Sequence, residues 1–196
     1  MSLFRKDILF IQTGGTIDKE YPKTIGGYHF EIGEPAVKRI VDKVKPSVGF
    51  EYTVCSVCRK DSQEITELDR EAIAVCVLNA IQSKIIVTHG TDTIIETAKF
   101  VQHYLKSNLK NAHKDIIFVG SFLPERFKDS DADINIGTAL GALEILQLGR
   151  VSETGKVKNN VNVCIALGGR VIPAARAVRN PVTGLFCESG EVNFPG

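Results

Sequence analysis

Ile8-Leu9-Phe10-Ile11-Gln12-Thr13-Gly14-Gly15-Thr16-Ile17 is the stretch on which the fold turns. An Ile-rich apolar run of strand length stops at two glycines and a threonine. A continuous apolar run of this kind predicts a strand buried on both faces, as in a parallel sheet. The glycines allow a sharp turn and let a ligand approach the main chain closely. Thr16 then stands at the carboxyl end of a strand, the edge at which open α/β sheets bind their ligands.

The same grammar recurs downstream. A helix is expected over 34–44, with Pro35 in its first turn and Val37, Ile40, Val41 and Val44 on one face. A strand follows over 50–57, then a polar turn at Asp61-Ser62-Gln63-Glu64 and an apolar helix over 68–81 opened by acids. After a strand at 84–88, His89-Gly90-Thr91-Asp92-Thr93 breaks the chain before a helix marked by Ile94, Ala98, Val101 and Leu105. A strand at 115–119 ends in Gly120-Ser121, and Ile136, Ala139, Leu140 and Leu143 mark the next helix. A strand at 161–167 stops at Gly168-Gly169, and extended structure or a hairpin is expected from Arg170 onward. Segment 18–33, with Tyr21, Tyr28 and His29, has no helical or strand periodicity and is long for a connection, which predicts a functional lid. Strands alternating with helices give an α/β fold: one doubly wound, flavodoxin-like or Rossmann-like parallel sheet with helices on both faces and a C-terminal extended hairpin. It is expected to form a single domain over 1–196.

The 196 residues are 43% hydrophobic and 24% charged, proportions of a packed domain rather than a disordered chain. A net charge of +1 with acids and bases interspersed offers no basic stripe for nucleic acid. No window approaches the length of a membrane span, and Met1–Asp7 lacks the apolar region of a signal peptide, so a cytoplasmic protein is expected. Five cysteines without framework spacing suit a reducing compartment. Cys55 and Cys58 form a C-x-x-C, but in a strand positions three apart point to opposite faces. No second Cys/His pair completes a zinc site, so no metal is assigned and these are read as buried or half-buried thiols.

In a parallel sheet the strand exits share one edge. Here they comprise Thr13-Gly14-Gly15-Thr16, Asp61-Ser62-Gln63, His89-Gly90-Thr91-Asp92, Gly120-Ser121 and the segment 176–179 with Arg176 and Arg179. They contain no G-x-G-x-x-G fingerprint, Walker lysine or G-x-S-x-G elbow, which removes the mechanical parts of dinucleotide, nucleotide and serine-hydrolase chemistry. His89, next to Thr91 in a tight turn, is expected to cap the strand end rather than act as a base. A threonine nucleophile needs activation. The N–H groups of Gly14 and Gly15 are candidates to stabilise an oxyanion, and Asp92 suits a substrate ammonium group. The set fits acyl transfer on a small zwitterion, without cofactor or metal.

Thr13-Gly14-Gly15-Thr16-Ile17 followed by His89-Gly90-Thr91-Asp92-Thr93, each after a strand, closely resembles the two signatures of the bacterial-type L-asparaginase/glutaminase family. Asp61-Ser62-Gln63 resembles its Ser-Gln substrate loop. Phe118-Val119-Gly120-Ser121 through Pro124 resembles its V-G-A-x-x-P segment, and Ser130-Asp131-Ala132-Asp133-Ile134-Asn135 its S-A-D-x-x-N run. The resemblance covers nearly the whole chain, which corresponds to the family's N-terminal domain and ends about where its C-terminal domain begins. It implies hydrolysis of the side-chain amide of asparagine, or of glutamine, a D-isomer or a larger amide. Thr16 would be the nucleophile, assisted by Tyr28 of the lid (or Tyr21), and Thr91 the second catalytic threonine. Asp92 would hold the α-amino group and Ser62 and Gln63 the α-carboxylate. Gly15, Gly90 and Ser121 would complete the substrate site. The family's lysine beside the second threonine falls here on Arg179, which cannot be deprotonated. The family also implies a homo-oligomer, in which a C-terminal domain, often a neighbour's, helps close the pocket. Arg179 leaves a second reading open: a small-molecule binding domain that kept the pocket and lost turnover.

Overall fold

The computed structural model describes residues 8–23, 27, 29–47, 49–110, 112–149 and 160–191. The first strand, β1 (Ile8–Gly14), is buried at every position. Two short strands, β2 (Lys19–Glu20) and β3 (Glu31–Ile32), pair antiparallel beyond it. Then come α1 (Ala36–Val44), β4 (Tyr52–Lys60), α2 (Glu67–Asn79), β5 (Lys84–Thr88), α3 (Ile94–Asn108), β6 (Lys114–Val119), α4 (Ala132–Leu148) and β7 (Val161–Leu167). The chain continues through β8 (Arg170–Pro173), β9 (Ala177–Arg179) and β10 (Phe186–Glu188). The central sheet has the order β4-β1-β5-β6-β7-β8. Its first five strands are parallel, and β8 turns back antiparallel on β7.

Strand alternation sorts the core into two layers. Leu9, Ile11, Ile85 and Val87 face α2 and α3, against Ile73, Val77, Ala98 and Val101. Ile8, Phe10 and Ile86 face α1 and α4, against Val37, Val41, Ile136 and Leu143. The expected doubly wound α/β sheet with helices on both faces is what forms, and β9 and β10 make the C-terminal hairpin. Two local expectations are corrected. The segment 18–33, expected to lack strand structure, contains the β2–β3 pair, each strand too short to leave a periodic signal. The strand expected to end at Val57 runs on to Lys60, because pairing with Gly14 carries the ladder through the polar Arg59-Lys60. No helix among the described residues is long and apolar enough to cross a membrane.

Candidate active site

Three loops meet at the carboxyl edge of β1, β4 and β5, and glycines let them touch. Gly15 has φ +82, and a Cβ there would lie 2.2 Å from the Gly90 nitrogen. A Cβ on Gly90 would lie 2.8 Å from both Cβ and Oγ of Ser62. The Thr16 loop is thus stacked on the Thr91 loop backbone against backbone, and the Thr91 loop on the Ser62 side chain, at separations that a side chain on either glycine would forbid. Hydrogen bonds fasten the stack: Thr93 Oγ1 donates to the Ser62 carbonyl at 2.6 Å, and the Asp92 N–H donates to Ser62 Oγ at 3.2 Å. The Gly15 N–H donates to the Lys60 carbonyl at 2.9 Å. This corrects one expectation: that N–H is engaged by β4 and is not available to an oxyanion.

The stack encloses a cavity of ≈ 300 Å³ lined by Thr16, Thr91, Ser62, Gln63 and Asp92, together with Lys19, Asp61 and Glu64. That volume matches the lower end of small-molecule sites, about 300 Å³. Neither the Thr16 nor the Thr91 hydroxyl is hydrogen-bonded to a described residue, so both are available to a ligand. Asp92 is oriented from two sides. Gln63 Nε2 donates to its Oδ2 at 2.8 Å, and Arg179 Nη1 reaches its Oδ1 at 3.2 Å from β9. Arg179 also donates from Nε to the Gly184 carbonyl and lies over the Phe186 ring, 5.6 Å from its centroid. Its guanidinium therefore touches the site through Asp92, without lining the cavity. Lys19 is the cationic side chain among the lining residues, paired with Asp61 at 3.0 Å.

Beneath the Thr16 loop lies Asp18, fully buried. Its Oδ1 accepts the first N–H of α1, from Ala36, at 2.7 Å, and its Oδ2 faces Thr88 Oγ1 at 3.4 Å. Burial pushes its carboxyl up to about 6 against the hydrogen bonds that favour the charged form. One carboxylate thus ties the turn carrying Thr16 to α1 and to the strand leading into Thr91. Sequence reading missed it, since an aspartate opening a polar, Gly-rich segment looks solvated. Lys19 was likewise not singled out, and Glu64 entered only as the end of the polar turn; their closeness in sequence to Thr16 and Gln63 was the available signal. His89 is buried, with Nδ1 donating to the Gly90 carbonyl at 2.8 Å, and burial lowers it to about 4, so it stays neutral at physiological pH. It supports the loop from below and is not among the residues lining the cavity.

Ser121 is also apart from the cavity. It is 1% exposed, and its hydroxyl donates to the Leu123 carbonyl. The preceding Gly120 abuts the second loop instead: a Cβ there would lie 2.5 Å from the His89 carbonyl oxygen and 3.3 Å from Thr91 Cγ2. Tyr28 lies outside the described residues. Tyr21 is exposed and packs with Phe30 and Phe127 at ring-centroid distances of 5.2 and 6.3 Å, away from the residues lining the cavity.

With this geometry in place, comparison with known proteins is decisive at the level of family. Residues 7–185 match the family model described as asparaginase, N-terminal. The chain belongs to the asparaginase family. It is 29% identical over 135 residues to an L-asparaginase of Thermococcus kodakarensis, covering 68% of this chain and 39% of that protein. It is 24% identical over 142 residues to a glutaminase-asparaginase of Acinetobacter glutaminasificans, covering 69% and 41%. Among solved structures, the thermostable L-asparaginase from T. kodakarensis superposes with a TM-score of 0.69 at 24% identity, over 96% of this chain and 52% of that one. L-asparaginase I from Vibrio cholerae gives 0.68 at 20% identity, over 97% and 52%. The chain therefore spans about two fifths of the curated relatives and about half of the solved ones, and the asparaginase N-terminal fold accounts for its described elements.

Proposed function

We propose that this chain carries the acyl-transfer site of an amidohydrolase that releases ammonia from the side-chain amide of L-asparagine, or of glutamine. The observation that carries the reading is the convergence of Thr16, Thr91, Ser62, Gln63 and Asp92 on one cavity from three separate strand exits. Thr16 Oγ attacks the amide carbon, the C–N bond breaks as the nitrogen takes a proton, and ammonia leaves an acyl ester on Thr16. Thr91, across the cavity, orients the water that attacks this ester and returns the Thr16 hydroxyl. Asp92 pairs with the substrate's α-ammonium, while Ser62 and Gln63 bind its α-carboxylate. Since the Gly15 N–H is engaged, the Thr91 hydroxyl is left to stabilise the charge developing on the substrate oxygen. Arg179 keeps its charge throughout and acts by fixing Asp92, not by relaying a proton. Tyr28, as the lid tyrosine assisting Thr16, and a homo-oligomer that closes the pocket belong to the same proposal.

One observation favours a second reading. Arg179, standing where the family is expected to have lysine, already occupies one oxygen of Asp92; a domain that binds an amino acid without turning it over would be built this way. Ammonia release from L-asparagine and L-glutamine by the full-length protein, beside Thr16→Ala, separates the two. The hydrolase reading expects wild-type activity that falls by at least ~10³-fold in the variant, on the order of losing a nucleophile. No activity, with a rise in Tm on adding L-aspartate, selects the binding domain. Neither activity nor a Tm shift overturns both.

A further inference from the structure

Five cysteines stand outside the hydrolase reading, and two of them face each other. Cys55 on β4 and Cys76 on α2, 21 residues apart, place their sulfurs 3.7 Å from one another. Both thiols are free and only half-buried, at the edge strand of the sheet. The other three are differently housed. The Cys58 sulfur donates to the Thr13 carbonyl at 3.4 Å, and burial pushes its thiol up to about 11. Cys164 and Cys187 are buried.

We propose that Cys55 and Cys76 are a reversible dithiol–disulfide site, oxidised by exchange with a low-molecular-weight disulfide. The separation requires the two sulfurs to close by less than 2 Å to reach a bond length of about 2.05 Å, between a strand and a helix already in contact. Either sulfur can donate to the other across this contact, and whichever accepts is favoured as the thiolate and attacks first. That thiolate attacks one sulfur of the small disulfide, breaks its S–S bond and expels one thiolate, leaving a mixed disulfide on the protein. The other cysteine then loses its proton to solvent and attacks the protein sulfur of the mixed disulfide, forming the Cys55–Cys76 bond as the second small thiolate leaves. The two protein thiols are oxidised, and the small disulfide is reduced to two thiols. The bond would clamp β4 to α2 on either side of the turn carrying Ser62, whose ends are already joined by Lys60 and Asp69 at 2.8 Å. The exchange does not depend on the hydrolase reading and is measured separately from it.

The test is peptide mapping under non-reducing conditions after incubating the full-length protein with oxidised glutathione. The expected product is a Cys55–Cys76 cross-linked peptide, lighter by two hydrogens and restored by dithiothreitol. Cys55→Ser is expected to stall at a glutathione adduct on Cys76, and Cys58→Ser to leave the cross-link intact. The proposal is overturned if no cross-link forms at glutathione ratios that oxidise dithiothreitol, or if the bond links Cys58 instead. It is likewise overturned if the cross-link forms only after urea unfolding.

Discussion

The two sides of the cavity are built by opposite means. On one side, the Thr16, Ser62 and Thr91 loops close on glycines, Gly15 against the Gly90 backbone and Gly90 against the Ser62 side chain, and hydrogen bonds fasten them. On the other, the β9–β10 hairpin delivers Arg179 by its side chain alone, 40% exposed, to a half-exposed Asp92. Groups that must hold reacting atoms within a fraction of an ångström are placed by the first method. The second suits a group supplying charge, since a guanidinium can shift without losing its effect. The glycine-packed side should therefore be intolerant of change in stability, and the hairpin side tolerant in stability but responsive in activity.

The largest effect is expected from Gly15→Ala. At φ +82 and ψ −177 the Gly15 backbone is one that essentially only glycine adopts, which costs an alanine about 1–3 kcal/mol, and the overlap with Gly90 adds a cost of about 1–3 kcal/mol. Urea unfolding should report a loss of about 3 kcal/mol; a loss below about 1 kcal/mol would mean that the loops are not held by close approach. Next comes the pH dependence owed to Asp18. Its folded value, near 6, lies above its ordinary value of 3.8, so the folded state binds more protons between them. Asp18 therefore makes stability fall as pH rises from about 4 to 6, by up to about 3 kcal/mol at 1.36 kcal/mol per unit. Asp18→Asn should remove that component from the pH profile of unfolding. An unchanged profile would place the titration elsewhere.

The smallest stability effect, read chiefly in activity, is expected on the hairpin. Arg179→Lys should shift unfolding by less than about 1 kcal/mol, as exposed ion pairs do. Because lysine cannot bond Asp92 and the Gly184 carbonyl with the same planar fork, ammonia release should drop several-fold. A rise in rate would instead mark the arginine as the feature that silences turnover.

This contrast also explains what could be read from the sequence. The strands β1, β5, β6 and β7 declare themselves because each is an apolar run cut off by a turn residue. Thr16, Thr91, Ser62 and Gln63 follow, since parallel strands bring their exits to one edge. Their roles came from family resemblance, not spacing. The β2–β3 pair was illegible because two residues carry no period. Asp18 was hidden because burial of a charge depends on donors from α1 and β5 that no local pattern announces. The Cys55–Cys76 contact likewise joins a strand to a helix, and a C-x-x-C draws attention to the wrong partner. Arg179 on Asp92 spans 87 residues, a contact reached only through the family's lysine position.

The most direct test of the central claim is to quench the full-length protein during turnover of L-asparagine and locate the acyl group by peptide mass mapping. A β-aspartyl ester on Thr16, absent from Thr16→Ala and cleared as substrate is consumed, is the expected result. An ester on Thr91, or steady ammonia release from Thr16→Ala, would contradict it.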